Sequence, residues 1–148
     1  MPVSAHVQYA ALEVAKYMIT RSYQRRTPIS NLAVQKLLYF AQRDYMSEGD
    51  GTPLFKDPIV AWKWGPVVSE VYYEFCVWGS WTILREYPVT LAEKDQQFLD
   101  KILTVYPAQN PWDLVDLTHK KGGPWDTVFN NGAGNKQTIP VDLIRKLG

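Results

Sequence analysis

Residues 29–75 read ISNLAVQKLLYFAQRDYMSEGDGTPLFKDPIVAWKWGPVVSEVYYEF, and this stretch decides the fold. Val34, Leu37, Leu38, Ala41 and Tyr45 recur at i, i+3, i+4, i+7 and i+11, the spacing of one continuous helical stripe. Tyr39 and Phe40 widen it, which predicts a central helix touched on several sides. Ser30 stands where its hydroxyl can cap the helix, and Gly49 and Gly51 close it. Pro53 and Pro58 then forbid regular helix. Ile59–Trp64 is predicted to be extended on strand propensity, with a bend leading into the next helix as the alternative. If the segment is extended, Trp62 and Trp64 share a face. Gly65-Pro66 reads as a hinge, with the proline opening a third helix whose stripe is Val68, Val71, Tyr72 and Phe75 and whose end is Gly79.

Working outward, Leu12, Ala15 and Ile19 mark a first helix over 5–21, broadened by Val14 and Met18. Downstream, Thr90 and Glu93 form a capping-box pattern ahead of Phe98, Leu99, Ile102, Leu103 and Tyr106. Asn110-Pro111 starts a shorter helix carrying Leu114 and Val115, with Leu117 a candidate third apolar position. Pro124-Trp125 is another start signal, and residues 130–135 (NNGAGN) read as a mobile loop. A last helix begins near Pro140 with Val141, Ile144 and Leu147 inward. The predicted class is mainly α: one domain over 1–148 with about six helices. A short extended segment or small hairpin is expected near 53–64, with 81–87 a second candidate for extended chain.

Composition narrows function. In 148 residues, 16 Lys and Arg oppose 15 Asp and Glu, so no basic excess points to nucleic acid. The one cysteine, Cys76, allows no internal disulfide; with no signal-peptide pattern, a reducing cytoplasm is expected. No apolar run reaches the roughly 18 residues of a membrane span. Two histidines and one cysteine make no zinc pattern, and GDGTP and KGGPW lack the spacing of a phosphate loop, so no metal or cofactor is expected. Cys76 reads as inert packing in the third helix. His119 reads as a helix-end imidazole whose protonated form suits the dipole. Neither makes a nucleophile–base set, and no catalytic residue is assigned. Six Trp, nine Tyr and five Phe are the unusual term, because such side chains anchor interfaces as readily as cores.

LAVQKLLYFAQ at 32–42, GTPLF at 51–55, IVAWKWGPVVSEVY at 59–72 and LTHKKGGPW at 117–125 together resemble the Panacea domain family, typified by SocA-like antitoxins and phage-associated GepA-like proteins. The Gly122-Gly123 pair departs mildly from the acidic residue or serine often found before PW in that family. The resemblance implies a mainly helical antitoxin that binds a toxin encoded by a neighbouring gene. Some members instead deliver the toxin to a cellular protease, a second candidate partner. Contacts are expected from Leu54 and Phe55 in the GTPLF loop, from Trp62, Trp64, Gly65 and Pro66, and from Tyr73. An alternative is a small-ligand or enzyme pocket around His119, Trp125 and Trp62, and those residues join the candidate list on that ground.

Overall fold

A computed structural model describes residues 8–148. Helix α2 (Asn31–Glu48) forms where the stripe predicts, with the Ser30 hydroxyl accepting the Ala33 amide at 3.3 Å. Ser30→Ala should lower stability by about 1 kcal/mol, read as a fall in the urea midpoint at constant m. Tyr39 and Phe40 are buried together with Val34, Leu37, Leu38 and Ala41 of the stripe, Tyr45 only partly, so α2 is covered on nearly every side. Around it pack α1 (Ala11–Gln24), α3 (Ser69–Phe75), α4 (Glu93–Val105), α5 (Pro111–Thr118) and α7 (Val141–Leu147). The domain is mainly α, with seven α-helices among the described residues where about six are expected. Its sheet is small: β1 (Ile59–Trp62) lies between β2 (Gly65–Val67) and β3 (Thr138–Ile139), all antiparallel. Helix α6 (Pro124–Phe129) packs on β1 and β3.

Several boundaries differ from expectation. The first helix starts at Ala11, because Tyr9 is extended and bridges Phe55: the Tyr9 amide donates to the Leu54 carbonyl and the Lys56 amide to the Tyr9 carbonyl, both at 3.1 Å. The predicted start at Ala5 lies outside the described residues. Gly65-Pro66 is strand, not helix start. Pro66 faces Ala61 on the outer strand β2, where a missing amide leaves no ladder bond unmade, and the third helix waits until Ser69. The capping box also fails: α4 begins at Glu93 itself, and the Thr90 hydroxyl instead donates to Glu13 at 3.0 Å. Residues 81–87 carry only an isolated bridge, Ser30 to Thr82.

The segment expected to be a mobile loop is held down. Asn130–Gly132 makes a 3-10 turn, the Lys136 amide donates to Ala61, the Ala61 amide donates to Gln137, and β3 follows. Of the last helix's apolar residues only Ile144 is buried; Val141 and Leu147 are partly exposed, as Leu117 is on α5. Cys76 stands exposed in a 3-10 turn, Cys76–Trp78, with its thiol donating to the Tyr73 carbonyl at 3.1 Å. It is not core packing.

Buried amides on α2 explain why the irregular segments stay put. Asn31, Gln35 and Gln42 fall within about 40° of one another around a helix of 3.6 residues per turn, and all three are buried. The Gln42 side chain accepts the Leu54 and Phe55 amides at 2.8 and 3.2 Å and donates to the Phe55 carbonyl at 2.9 Å. Gln35 accepts the Val68 amide at 2.9 Å and donates to Asn31, which donates in turn to the Tyr72 carbonyl. These side chains pair backbone groups that no helix or strand satisfies, and a buried unpaired group would cost about 1–3 kcal/mol.

Candidate functional site

The β1–β2 hairpin carries Trp62 on its first strand and Lys63-Trp64 in its turn. Opposite lie Tyr72 and Tyr73 on α3, and Trp112 near the start of α5, whose N-terminus the Asn110 side chain caps by accepting the Trp112 amide. Between them is a cleft of about 400 Å³, lined also by Leu32, Gln35, Lys36 and Val67. Its rim is a set of edge-on aromatic contacts. Trp64 meets Trp112 at 5.2 Å between centroids, and Trp62 meets Tyr72 at 4.9 Å and Tyr73 at 6.3 Å. Trp64 and Trp112 are each 48% exposed and Tyr73 is 64% exposed. Val77 and Trp81 extend the exposed apolar surface nearby in sequence. Single exposed hydrophobics are ordinary; several large aromatics around one concavity are not.

Lys36 forms part of the cleft lining from below and is 0% exposed. Its ammonium donates to the Pro66 carbonyl at 2.9 Å, and burial alone pushes its pKa down to about 7. The hairpin presses close above it. Gly65 has φ of +113°, and a Cβ there would sit 2.7 Å from the Thr118 hydroxyl and 3.1 Å from the Lys36 nitrogen. Only glycine lets β2 approach so near.

Behind the hairpin, His119 stacks on Trp125 at 3.8 Å with the rings 3° from parallel, and Trp125 donates its indole N–H to the Trp62 carbonyl at 2.7 Å. Burial first, and then the nearby Lys36 charge, lower the His119 pKa, and its buried Nε2 has no hydrogen-bond partner. The expected protonated, dipole-facing imidazole is therefore corrected to a neutral stacked ring. Trp125 and His119 brace the hairpin from the side away from the aromatic rim.

The structure lines one cleft with Trp62 and Trp64 and sets Tyr73 against Trp62. It removes five candidates from the surface: Leu54, Phe55, Gly65, Pro66 and Trp125 are buried. Leu54 and Phe55 are each 1% exposed and belong to the core, because Gln42 and Tyr9 hold that segment inward. Lys36 and Trp112 were missed. A lysine amid the apolar run of α2 is a signal, yet one that normally marks a solvated face. Trp112 has no local signal beyond its size. Among the described residues, no group of three or more His, Cys, Asp or Glu could hold a metal, and no helix is long and apolar enough to cross a membrane.

A family model described as "Antitoxin SocA-like, Panacea domain" matches residues 34–126, a span that includes the hairpin, Lys36 and Trp112. The chain is also 31% identical over 150 residues to Antitoxin SocA of Caulobacter vibrioides (strain NA1000 / CB15N), with 93% of this chain and 79% of that protein covered. No solved structure matches.

Proposed function

Because this chain belongs to the antitoxin SocA-like Panacea domain family, we propose that it neutralises a toxin encoded by a neighbouring gene, by binding that protein directly through the aromatic cleft. An antitoxin role in general comes with the family. What supports direct binding at this place is the half-exposed Trp64–Trp112 pair at the rim. Trp64 sits in the turn of the paired β1–β2 hairpin and Trp112 in the capped first turn of α5, which limits the ordering entropy lost on contact. Trp64 carries the Lys63 ammonium over its face at 4.9 Å. Work in the cytoplasm suits a chain whose lone thiol is exposed and unbridged.

The test is growth on co-expression of the adjacent reading frame. Wild type should rescue growth, while Trp64→Ala with Trp112→Ala should not, each truncation weakening binding by about thirtyfold, the effect of a 2 kcal/mol anchor. Both side chains are half exposed, so the thermal midpoint of the double variant should stay within a few degrees of wild type. Equal rescue by the folded double variant would place the interface elsewhere, and absence of rescue by wild type would remove the antitoxin reading itself.

A further inference from the structure

We infer that the cleft receives an acidic side chain of the bound partner, a glutamate or aspartate flanked by apolar residues, whose carboxylate pairs with the Lys36 ammonium while the flanking residues lie against Trp64 and Trp112. This rests on the antitoxin reading above and names the chemistry of the segment the toxin presents. Lys36 is the first ground. It is wholly buried, yet among the described residues no carboxylate pairs with it; one carbonyl, that of Pro66, takes one of its three hydrogens. A buried cation without a counter-charge is destabilising, and such groups concentrate at functional sites.

The lining supplies the second ground. Two lysines, Lys36 and Lys63, line the cleft, and none of its lining residues is acidic. Complementarity therefore calls for negative charge within an apolar surround. The volume of about 400 Å³ lies toward the small end of ligand pockets, which run from about 300 to 1,000 Å³. That is space for a projecting side chain and its flanks. Since Lys36 lies beneath the surface, the group that meets it must reach inward from the partner's backbone, which a glutamate or aspartate side chain does.

Pairing of this kind carries a proton signature. The titratable groups around Lys36 are His119 beyond α5, Lys63 in the hairpin turn, and Tyr72 and Cys76 on the α3 side. None of these is a carboxylate. Burial leaves Lys36 with a pKa of about 7, so above neutrality the free protein has to gain a proton to form the pair. Affinity should fall by up to about tenfold for each pH unit above 7.

The experiment is calorimetry of the full chain with the protein encoded by the adjacent reading frame. Each Asp and Glu of that protein is changed to Asn or Gln and measured against wild type and Lys36→Met. Lys36→Met should weaken binding by about thirtyfold or more while remaining folded by thermal midpoint. One partner acid should cause a similar loss against wild type and no further loss against Lys36→Met. The decline in affinity from pH 7 to 9 should vanish in that variant.

Wild-type affinity in folded Lys36→Met overturns the inference. If Trp64→Ala with Trp112→Ala still abolishes binding, the cleft stands as the interface and only the acidic pairing falls. Coupling of Lys36 to the partner's terminal carboxylate, read by amidating or deleting its last residue, also overturns the side-chain assignment. Failure of the adjacent protein to bind wild type removes the antitoxin reading and this inference with it.

Discussion

Gly65→Ala is expected to lower the unfolding free energy by about 2–6 kcal/mol, which for a domain of this size is a large share of the total. Two effects add. At φ of +113° an L residue is strained by about 1–3 kcal/mol. Its Cβ would then lie 2.7 Å from the Thr118 hydroxyl and 3.1 Å from the Lys36 side chain, so these two buried side chains must shift to admit it. Thr118 is buried and donates to the Val115 carbonyl at 2.7 Å, and Lys36 is enclosed. Overpacking of that kind costs about 1–3 kcal/mol more. Gly122→Ala is the control: φ is +77°, but no atom lies within 4 Å of the added carbon, so only the backbone term, about 1 kcal/mol, should appear. Urea midpoints for the two variants would test this; equal losses would mean that the hairpin does not press on α2 as described.

The second large effect is on the pH dependence of stability. Lys36 has a pKa of about 7 in the fold against 10.5 for an unperturbed lysine. Between those values the unfolded chain holds a proton that the folded chain does not, so stability must rise with pH across that interval. The slope approaches about 1.4 kcal/mol per pH unit from 7 to about 10. Above that range Tyr39, Tyr45 and Tyr106, each raised to about 12 chiefly by burial, turn the slope downward: the fold keeps phenolic protons that the unfolded chain releases.

Below pH 6.5, His119 adds a loss of its own, because its lowered pKa makes the unfolded chain the better proton acceptor. Lys36→Met keeps the volume and removes the ion. At pH 6 it should be more stable than wild type by several kcal/mol, less about 1 kcal/mol for the Pro66 carbonyl left without its donor. By pH 10 the advantage should largely disappear. Denaturant titrations of both proteins from pH 6 to 10 would decide it, and parallel curves would rule out Lys36 as the source.

Lys36 and the Trp pair thus pull in different directions. The cation is retained in the core at a cost to stability, beneath an aromatic rim retained at a cost to solubility. Lys36→Met separates the two demands, since it is expected to stabilise the domain and weaken the complex.

Much of the fold was legible in sequence. Val34, Leu37, Leu38 and Ala41 repeat at helical spacing over a stretch long enough for local periodicity to decide, and Ser30 and Asn110 cap where their side-chain chemistry suggests. The misreadings arose where local signals meet long-range pairing. Gly65-Pro66 has the chemistry of a helix start, but the register of Val60 with Val67 makes it strand. Thr90 and Glu93 have capping-box spacing, yet Glu13 on α1 takes the Thr90 hydroxyl. Leu54 and Phe55 look like an exposed loop until Gln42, on another element, accepts their amides.

The amino-acid sequence alone settled the helical class, the central position of α2 and the surplus of tryptophan and tyrosine, while for Ile59–Trp64 it favoured an extended segment over a bend. Tertiary structure alone decided which of those rings reach solvent, brought Trp112 against Trp64, and set Lys36 under Gly65 with no acid among the described residues to neutralise it. The physical reason is range. Helix periodicity is written between residues three or four apart, whereas burial, ring contacts and the electrostatics of a lysine depend on elements that meet only once the chain has closed on itself.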